Sequence, residues 1–271
     1  MTEITDPASE LWQMFSSLRG LQHNGTTRDA LAEQFGCKTD DGTYFTILNA
    51  VTSRCDRLCQ MVEVQADLAE HREEVLTAIR KMRCVFGTDR FHGSWAGQRD
   101  GLLQSHHLTA VKMAALSIRR SHPLRKLTGE ERADLLAKID DLIEEAQRDQ
   151  SLSARIIENA FVGLKVVLER LTFFGHDALI ERLFLVNAEI KAAAARSSTE
   201  DRSGLTKLIK SSAMVISLAV NLFVFSDAAA TALENHYHRA QVLLEHLNAD
   251  APAPEVKRLS PPNRSEELVG A

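Results

Sequence analysis

The stretch SSAMVISLAVNLFVFS begins at Ser211 and ends at Ser226, and it contains no charged residue. A helix that is apolar on every side lies either at the centre of a soluble bundle or in a lipid bilayer. Its sixteen residues, at about 1.5 Å each, span about 24 Å, less than the roughly 30 Å of a bilayer's hydrocarbon core. A longer helix would carry Asp227 into the hydrocarbon. The stretch therefore favours a buried core helix, with a membrane segment as the alternative.

The distribution of proline predicts the fold class. Six prolines occur in 271 residues, and two stretches of more than one hundred residues contain none. Proline interrupts helices because it lacks a backbone N–H, and no clear stretch alternates β-branched with polar residues as a strand would. The sequence predicts an all-α, multi-helix bundle of about seven or eight helices, with one long N-terminal helix and a buried apolar helix.

The long helix is predicted from about Tyr44 to Phe86. A spacing of three and four residues within it is typical of a coiled-coil-like seam between two helices, and the pattern changes phase near Glu70. The seam consists of Phe45, Leu48, Thr52, Cys55, Cys59, Val62, Ala66 and Ala69.

Further helices are predicted from their end signals. Thr128 and Glu131 form a capping box before an amphipathic helix, and Gly175 is suited to a left-handed stop. The predicted helices cover residues 102–120, 129–146, 153–174, 177–196, 205–226 and 227–247.

Domain boundaries are less defined. We expect an N-terminal helical portion over residues 1–100, a C-terminal helical bundle over 101–247 and a disordered, proline-containing tail over 248–271. A single continuous domain over residues 1–247 is the alternative.

Composition and targeting signals predict a cytoplasmic protein, with membrane association as the alternative. The net charge of −5 does not favour a nucleic-acid partner. Residues 31–37, LAEQFGC, resemble the first half of a helix-turn-helix, yet Asp40 and Asp41 would meet the phosphates where the recognition helix should begin. We expect no signal peptide, because nothing near residue 1 resembles one, and we expect the four cysteines to be reduced thiols.

The segment GTDRFHGSWAGQRDG, residues 87–101, is a candidate ligand site. Its candidate binding residues are Arg90, His92, Trp95 and Arg99, because arginines beside aromatic rings can hold a phosphate or a planar ligand. The alternative is a connector that Phe91 and Trp95 attach to the bundle.

A second candidate site is a basic patch of Arg119, Arg120, Arg125 and Lys126, which would face an anionic partner. The alternative is favourable placement of cations near a helix C-terminus. The acidic turn DDLIEE, residues 140–145, resembles the Mg²⁺-diphosphate clusters of isoprenoid-synthase-like bundles, but no second acidic helix matches it. No catalytic residue, metal site or cofactor is predicted.

These observations rank three functions. The first is a non-enzymatic helical-bundle interaction or regulatory protein that acts through protein–protein contacts, with a protein partner or as a homo-oligomer. The second is a membrane-docking or membrane-perturbing effector that uses the apolar helix over residues 211–226. The third is a ligand-binding protein or enzyme with a site at residues 87–101.

Overall fold

The computed structural model describes residues 3–149, 151–196 and 202–223. Within these residues the chain forms ten α-helices, so the all-α prediction is confirmed and the expected count of seven or eight is wrong. The helices are α1 (Pro7–Gly20), α2 (Thr27–Phe35), α3 (Gly42–Val64), α4 (Arg72–Arg83), α5 (Trp95–Leu102), α6 (Ser105–Ser121), α7 (Gly129–Gln147), α8 (Leu152–Glu169), α9 (Leu171–Arg196) and α10 (Arg202–Phe223).

Side-chain caps fix where several helices begin. Asp6 precedes Pro7, and its Oδ1 accepts the backbone N–H of Ser9 at 2.8 Å, which starts α1. The predicted capping box of Thr128 and Glu131 is present at the start of α7. These local signals are strong because they satisfy backbone N–H groups that the first helical turn leaves without partners.

The predicted helix from Tyr44 to Phe86 is wrong as a single element. It breaks at Gln65, whose backbone is extended (φ −79°, ψ 112°), and a 3-10 turn over Ala66–Leu68 leads into α4. The phase change of the apolar pattern is the physical cause, because one straight helix could not bury both apolar stripes. The break lets α4 pack against both α3 and α6.

The predicted seam of α3 is also shifted. Phe45 is 45% exposed, whereas Tyr44, Ile47 and Val51 are fully buried. Cys55 keeps its predicted core position, and burial raises the pKa of its thiol to about 12, so the thiol stays protonated. All four cysteines are free thiols.

The C-terminal helices pack around a core that α7, α8, α9 and α10 share. On α10, Val215 and Ala219 are buried, while Met214 and Leu218 are 68% and 38% exposed. The predicted burial therefore holds for one face of α10 only. No helix among the described residues is long and apolar enough to cross a bilayer.

Other sequence predictions fall beyond the described residues. They are the end of the apolar stretch over residues 224–226, the helix expected over residues 227–247 and the tail over 248–271.

The helices of the two predicted halves are in direct contact. Helices α1 and α3 both pack on α9, and α1 also packs on α6. A two-residue strand, Ile4–Thr5, pairs antiparallel with Leu124–Arg125 and joins the N-terminus to the segment before α7.

Candidate interaction groove

A buried ion cluster joins α1, α3 and α9. The guanidinium of Arg54 donates to the carbonyl oxygens of Thr172 and Phe173, at 3.0 and 2.9 Å, and to Oε2 of Glu10 at 2.9 Å. Glu10 also accepts the backbone N–H of His176 at 3.2 Å and contacts its Nδ1 at 2.6 Å. The helical geometry of α9 is interrupted at residue 175. Arg54 thus donates to two carbonyls at the end of the segment before this interruption, and Glu10 accepts the first backbone N–H of the segment after it.

Gly175 makes this arrangement possible. Its positive φ of +84° was predicted, but the predicted helix stop is wrong: α8 already ends at Glu169, and Gly175, with ψ 162°, interrupts α9 instead of ending a helix. A Cβ at this residue would lie 2.7 Å from the guanidinium of Arg54. The kink therefore needs glycine both for its backbone angle and for the space it leaves.

Both ring nitrogens of His176 form hydrogen bonds. Its Nε2 accepts the backbone N–H of Leu127 at 3.0 Å, so Nδ1 carries the proton and donates to Glu10. Burial alone would raise the pKa of Glu10, but the hydrogen bond from His176 and the charge of Arg54 together lower it. A cleft of about 280 Å³ adjoins His176. Neither Glu10 nor His176 is available there as a general base, because each is hydrogen-bonded to the other.

Asp177 extends the cluster toward solvent. Its Oδ2 lies 3.2 Å from the Nη2 of Arg57, and the Nη1 of Arg57 lies 2.7 Å from Oε1 of Glu181. Burial raises the pKa of Asp177 despite the charges of Arg57 and Arg54. We assign the cluster a structural role, since Glu10 is hydrogen-bonded to both Arg54 and His176.

The structure does not bring the four predicted ligand residues of segment 87–101 together. Trp95 is fully buried, and its Nε1–H donates to the carbonyl of Leu21 at 2.9 Å. Arg99 donates to the same carbonyl at 3.3 Å. Arg90 pairs with Asp89 at 3.1 Å and lines a separate hollow beside α3, and His92 is exposed. The segment also contains α5, so it is less irregular than predicted.

The predicted basic patch is largely neutralised within the chain. Each of its four cations pairs with a carboxylate, so the patch is not an open cationic surface. The pairs are Arg119 with Asp6 at 3.0 Å, Arg120 with Asp67 at 3.3 Å, Lys126 with Glu3 at 2.8 Å, and Arg125 with Glu131.

Part of the acidic turn of α7 is paired in the same way. Asp140 contacts Lys165 of α8 at 2.6 Å, and Glu145 contacts Lys207 of α10 at 2.9 Å. No group of His, Cys, Asp or Glu side chains in the described part of the chain could hold a metal ion.

A groove with exposed apolar side chains at its rim lies between α4 and α6. It consists of two adjoining hollows of about 430 and 310 Å³, which share Glu74 and Ala110. Ala110 and Ala114 are buried small residues of its α6 side. At its rim Met113 is 56% exposed and Leu116 is 70% exposed.

The electrostatics of the groove are one-sided. Glu73 and Glu74 lie in the first turn of α4, and in the described ranges Glu73 forms no ion pair while Glu74 has only His71, at 3.9 Å. Opposite them, at the start of α6, the rings of His106 and His107 are 4.1 Å apart. The α4 side of the groove therefore carries carboxylates without strong cationic partners.

Sequence reasoning missed this groove because it exists only where the expected long helix breaks. A usable signal was present in α6, where Val111, Ala115 and Ile118 form the buried stripe and Met113 and Leu116 fall outside it. Large apolar side chains off the buried stripe of a helix indicate a second contact surface.

No protein-family model matches the chain, and neither a curated protein nor a solved structure matches it. Evidence for function therefore comes from the geometry of the groove and from the exposed apolar face of α10.

Proposed function

We propose that the protein is a non-enzymatic interaction protein that binds an α-helix of a partner in the groove between α4 and α6. The observation that carries this proposal is the exposure of Met113 and Leu116 beside an apolar hollow. Amphipathic helices commonly bind by laying their apolar face into such grooves. Methionine suits this use because its flexible thioether adapts to a contacting surface.

The dimensions of the groove support a helical occupant. Its lining extends along α6 from His106 to Arg120, and fourteen rises of about 1.5 Å give a length of about 21 Å. A partner helix of about four turns would match this length. The small side chains of Ala110 and Ala114 would let its axis approach to the roughly 8–10 Å that is usual for packed helices.

The energy available from the rim is useful but modest. Full burial of a leucine or methionine side chain contributes about 1.5–3 kcal/mol, and these two are about two-thirds exposed. Covering both would therefore contribute about 2–4 kcal/mol, or about 30- to 1,000-fold in Kd.

The test is site-specific photo-crosslinking in the cells that make the protein. A photoreactive side chain replaces Leu116 (70% exposed) in one variant and Leu152 (71% exposed) in the matched control. We expect a discrete cross-linked species from position 116 that is absent from position 152 and weakened by Met113→Glu. Equal labelling at both positions, or no species at 116, would refute the proposal.

Membrane docking through α10 is a second candidate, favoured by the exposure of Met214 and Leu218 on one face of that helix. We expect this candidate to produce binding to anionic liposomes that Met214→Asp abolishes and Leu116→Glu leaves unchanged. Absence of liposome binding by the wild-type protein would remove it.

A further inference from the structure

We infer that the partner helix is basic, with Lys or Arg residues along the edge that faces α4; this inference rests on the proposed function. The chemical class follows from the charge that the groove presents. A partner with carboxylates along that edge would meet Glu73 and Glu74 at close range, where like charges repel.

The cations of α6 do not neutralise this edge. The Nζ of Lys112 lies 4.5 Å from the ring centroid of Trp12 in α1, and Arg119 pairs with Asp6. Arg120 does line the groove, but it pairs with Asp67 at 3.3 Å. Apart from its histidines, the groove lining has three carboxylates, Asp67, Glu73 and Glu74, and one cation, Arg120.

The helix dipole explains how the free protein tolerates these carboxylates. Glu73 and Glu74 lie in the first turn of α4, where the positive end of the dipole stabilises negative charge. This accounts for their stability in the free protein but leaves their outward-facing oxygens open to a cation. Binding experiments separate stabilisation by the helix dipole from attraction of a partner's cations, because the dipole stabilises Glu73 and Glu74 whether or not a partner is bound.

The experiment compares two synthetic amphipathic helices of four turns with the same apolar face. One carries Lys and Arg along the edge, and the other carries Glu at the same positions. Fluorescence anisotropy with the full chain should give at least about 10-fold tighter binding of the basic helix at low salt, and this preference should decrease as salt screens the charges.

Charge variants test which residues set the preference. In Glu73→Gln/Glu74→Gln the basic helix should bind about 3- to 10-fold more weakly, and in Glu73→Lys/Glu74→Lys the preference should reverse. The matched control is Glu130→Gln, because Glu130 is also exposed in the first turn of a helix and has no ion pair within the described residues. It should leave binding unchanged.

The outcomes separate the inference from the proposed function. Equal binding of both helices that Leu116→Glu abolishes would overturn the basic partner and keep the groove. A cross-linked species at position 116 without binding of either helix would do the same. A dimer in sedimentation that Leu116→Glu dissociates would identify the occupant as a second copy and overturn the inference. Neither adduct nor helix binding would overturn both.

Discussion

Replacing Gly175 with alanine should destabilise the fold more than the same change at Gly36 or Gly101. The substitution acts on two features at once. Its backbone has φ +84° and ψ 162°, a combination that is essentially restricted to glycine and costs about 1–3 kcal/mol for other residues. The added Cβ would also lie 2.7 Å from the Cζ, Nε and Nη2 of Arg54.

The second cost comes from displacing a buried cation. The side chain of Arg54 is 2% exposed and holds two carbonyls and Glu10. Complete loss of a buried pair costs about 3–5 kcal/mol, so a partial displacement adds about 1–2 kcal/mol. The total expected loss is about 2–5 kcal/mol in the free energy of unfolding.

Two glycines provide graded controls. Gly36 has φ +64°, but a Cβ there would meet Arg170 at an ordinary 3.6 Å, so Gly36→Ala should cost about 1 kcal/mol. Gly101 lies in α5 with nothing within 4 Å of the added carbon, and Gly101→Ala should stabilise by about 0.5–1 kcal/mol.

Urea unfolding followed by circular dichroism measures all three variants. A second comparison isolates the contact: in an Arg54→Met background, Gly175→Ala should cost only the backbone part, about 1–3 kcal/mol. A cost of Gly175→Ala no greater than that of Gly36→Ala, or an equal cost with and without Arg54, would contradict this prediction.

Buried charge and the two faces of α10 provide further tests. Glu10→Gln should cost about 3–5 kcal/mol in the free energy of unfolding at pH 7, because it leaves the charge of Arg54 unpaired. The folded pKa of Glu10 is lowered, so the stabilisation by its carboxylate is complete above the ordinary pKa of 4.5 and is lost as pH falls through the folded pKa. Urea unfolding should therefore show a smaller difference between wild type and Glu10→Gln in acid. Asp177→Asn should cost less at pH 7, since a raised pKa means that wild-type stability falls as pH rises from 3.8 through the folded value, and an equal cost for both variants would contradict this. Val215→Asp should cost more than about 3 kcal/mol, whereas Met214→Asp should change thermal stability by less than about 0.5 kcal/mol; similar losses would mean that α10 is buried on both faces.

Local signals in the sequence predicted helix ends better than helix breaks. The capping box of Thr128 and Glu131 could be assigned from short-range rules, because a cap depends on three or four neighbouring residues. The break at Gln65 could not, since no proline or glycine marks it and only the phase of the apolar residues changes there.

The ion cluster was inaccessible to sequence reasoning for a different reason. Glu10, Arg54 and His176 are separated by 44 and 122 positions along the chain, and each stands alone among ordinary helical residues. Only the packing of α1, α3 and α9 brings them together. The segment over residues 87–101 shows the converse. Trp95 and Arg90 are close in sequence, yet Trp95 contacts Leu21 whereas Arg90 pairs with Asp89.

Exposure of an apolar side chain does not by itself identify a binding surface. Leu152 is as exposed as Leu116, and Met214 is more exposed than Met113, yet scattered apolar residues are normal on protein surfaces. What distinguishes α6 is the coincidence of three features: the exposed pair adjoins a hollow, the floor has small side chains, and the facing wall has carboxylates without strong partners. The exposed pair requires an apolar face on the occupant, the small side chains of the floor require a close-packed helix, and the carboxylates of the facing wall require a basic edge. A partner that lacked any one of them would lose part of the fit, which is why the peptide comparison can fail on charge while the groove itself remains.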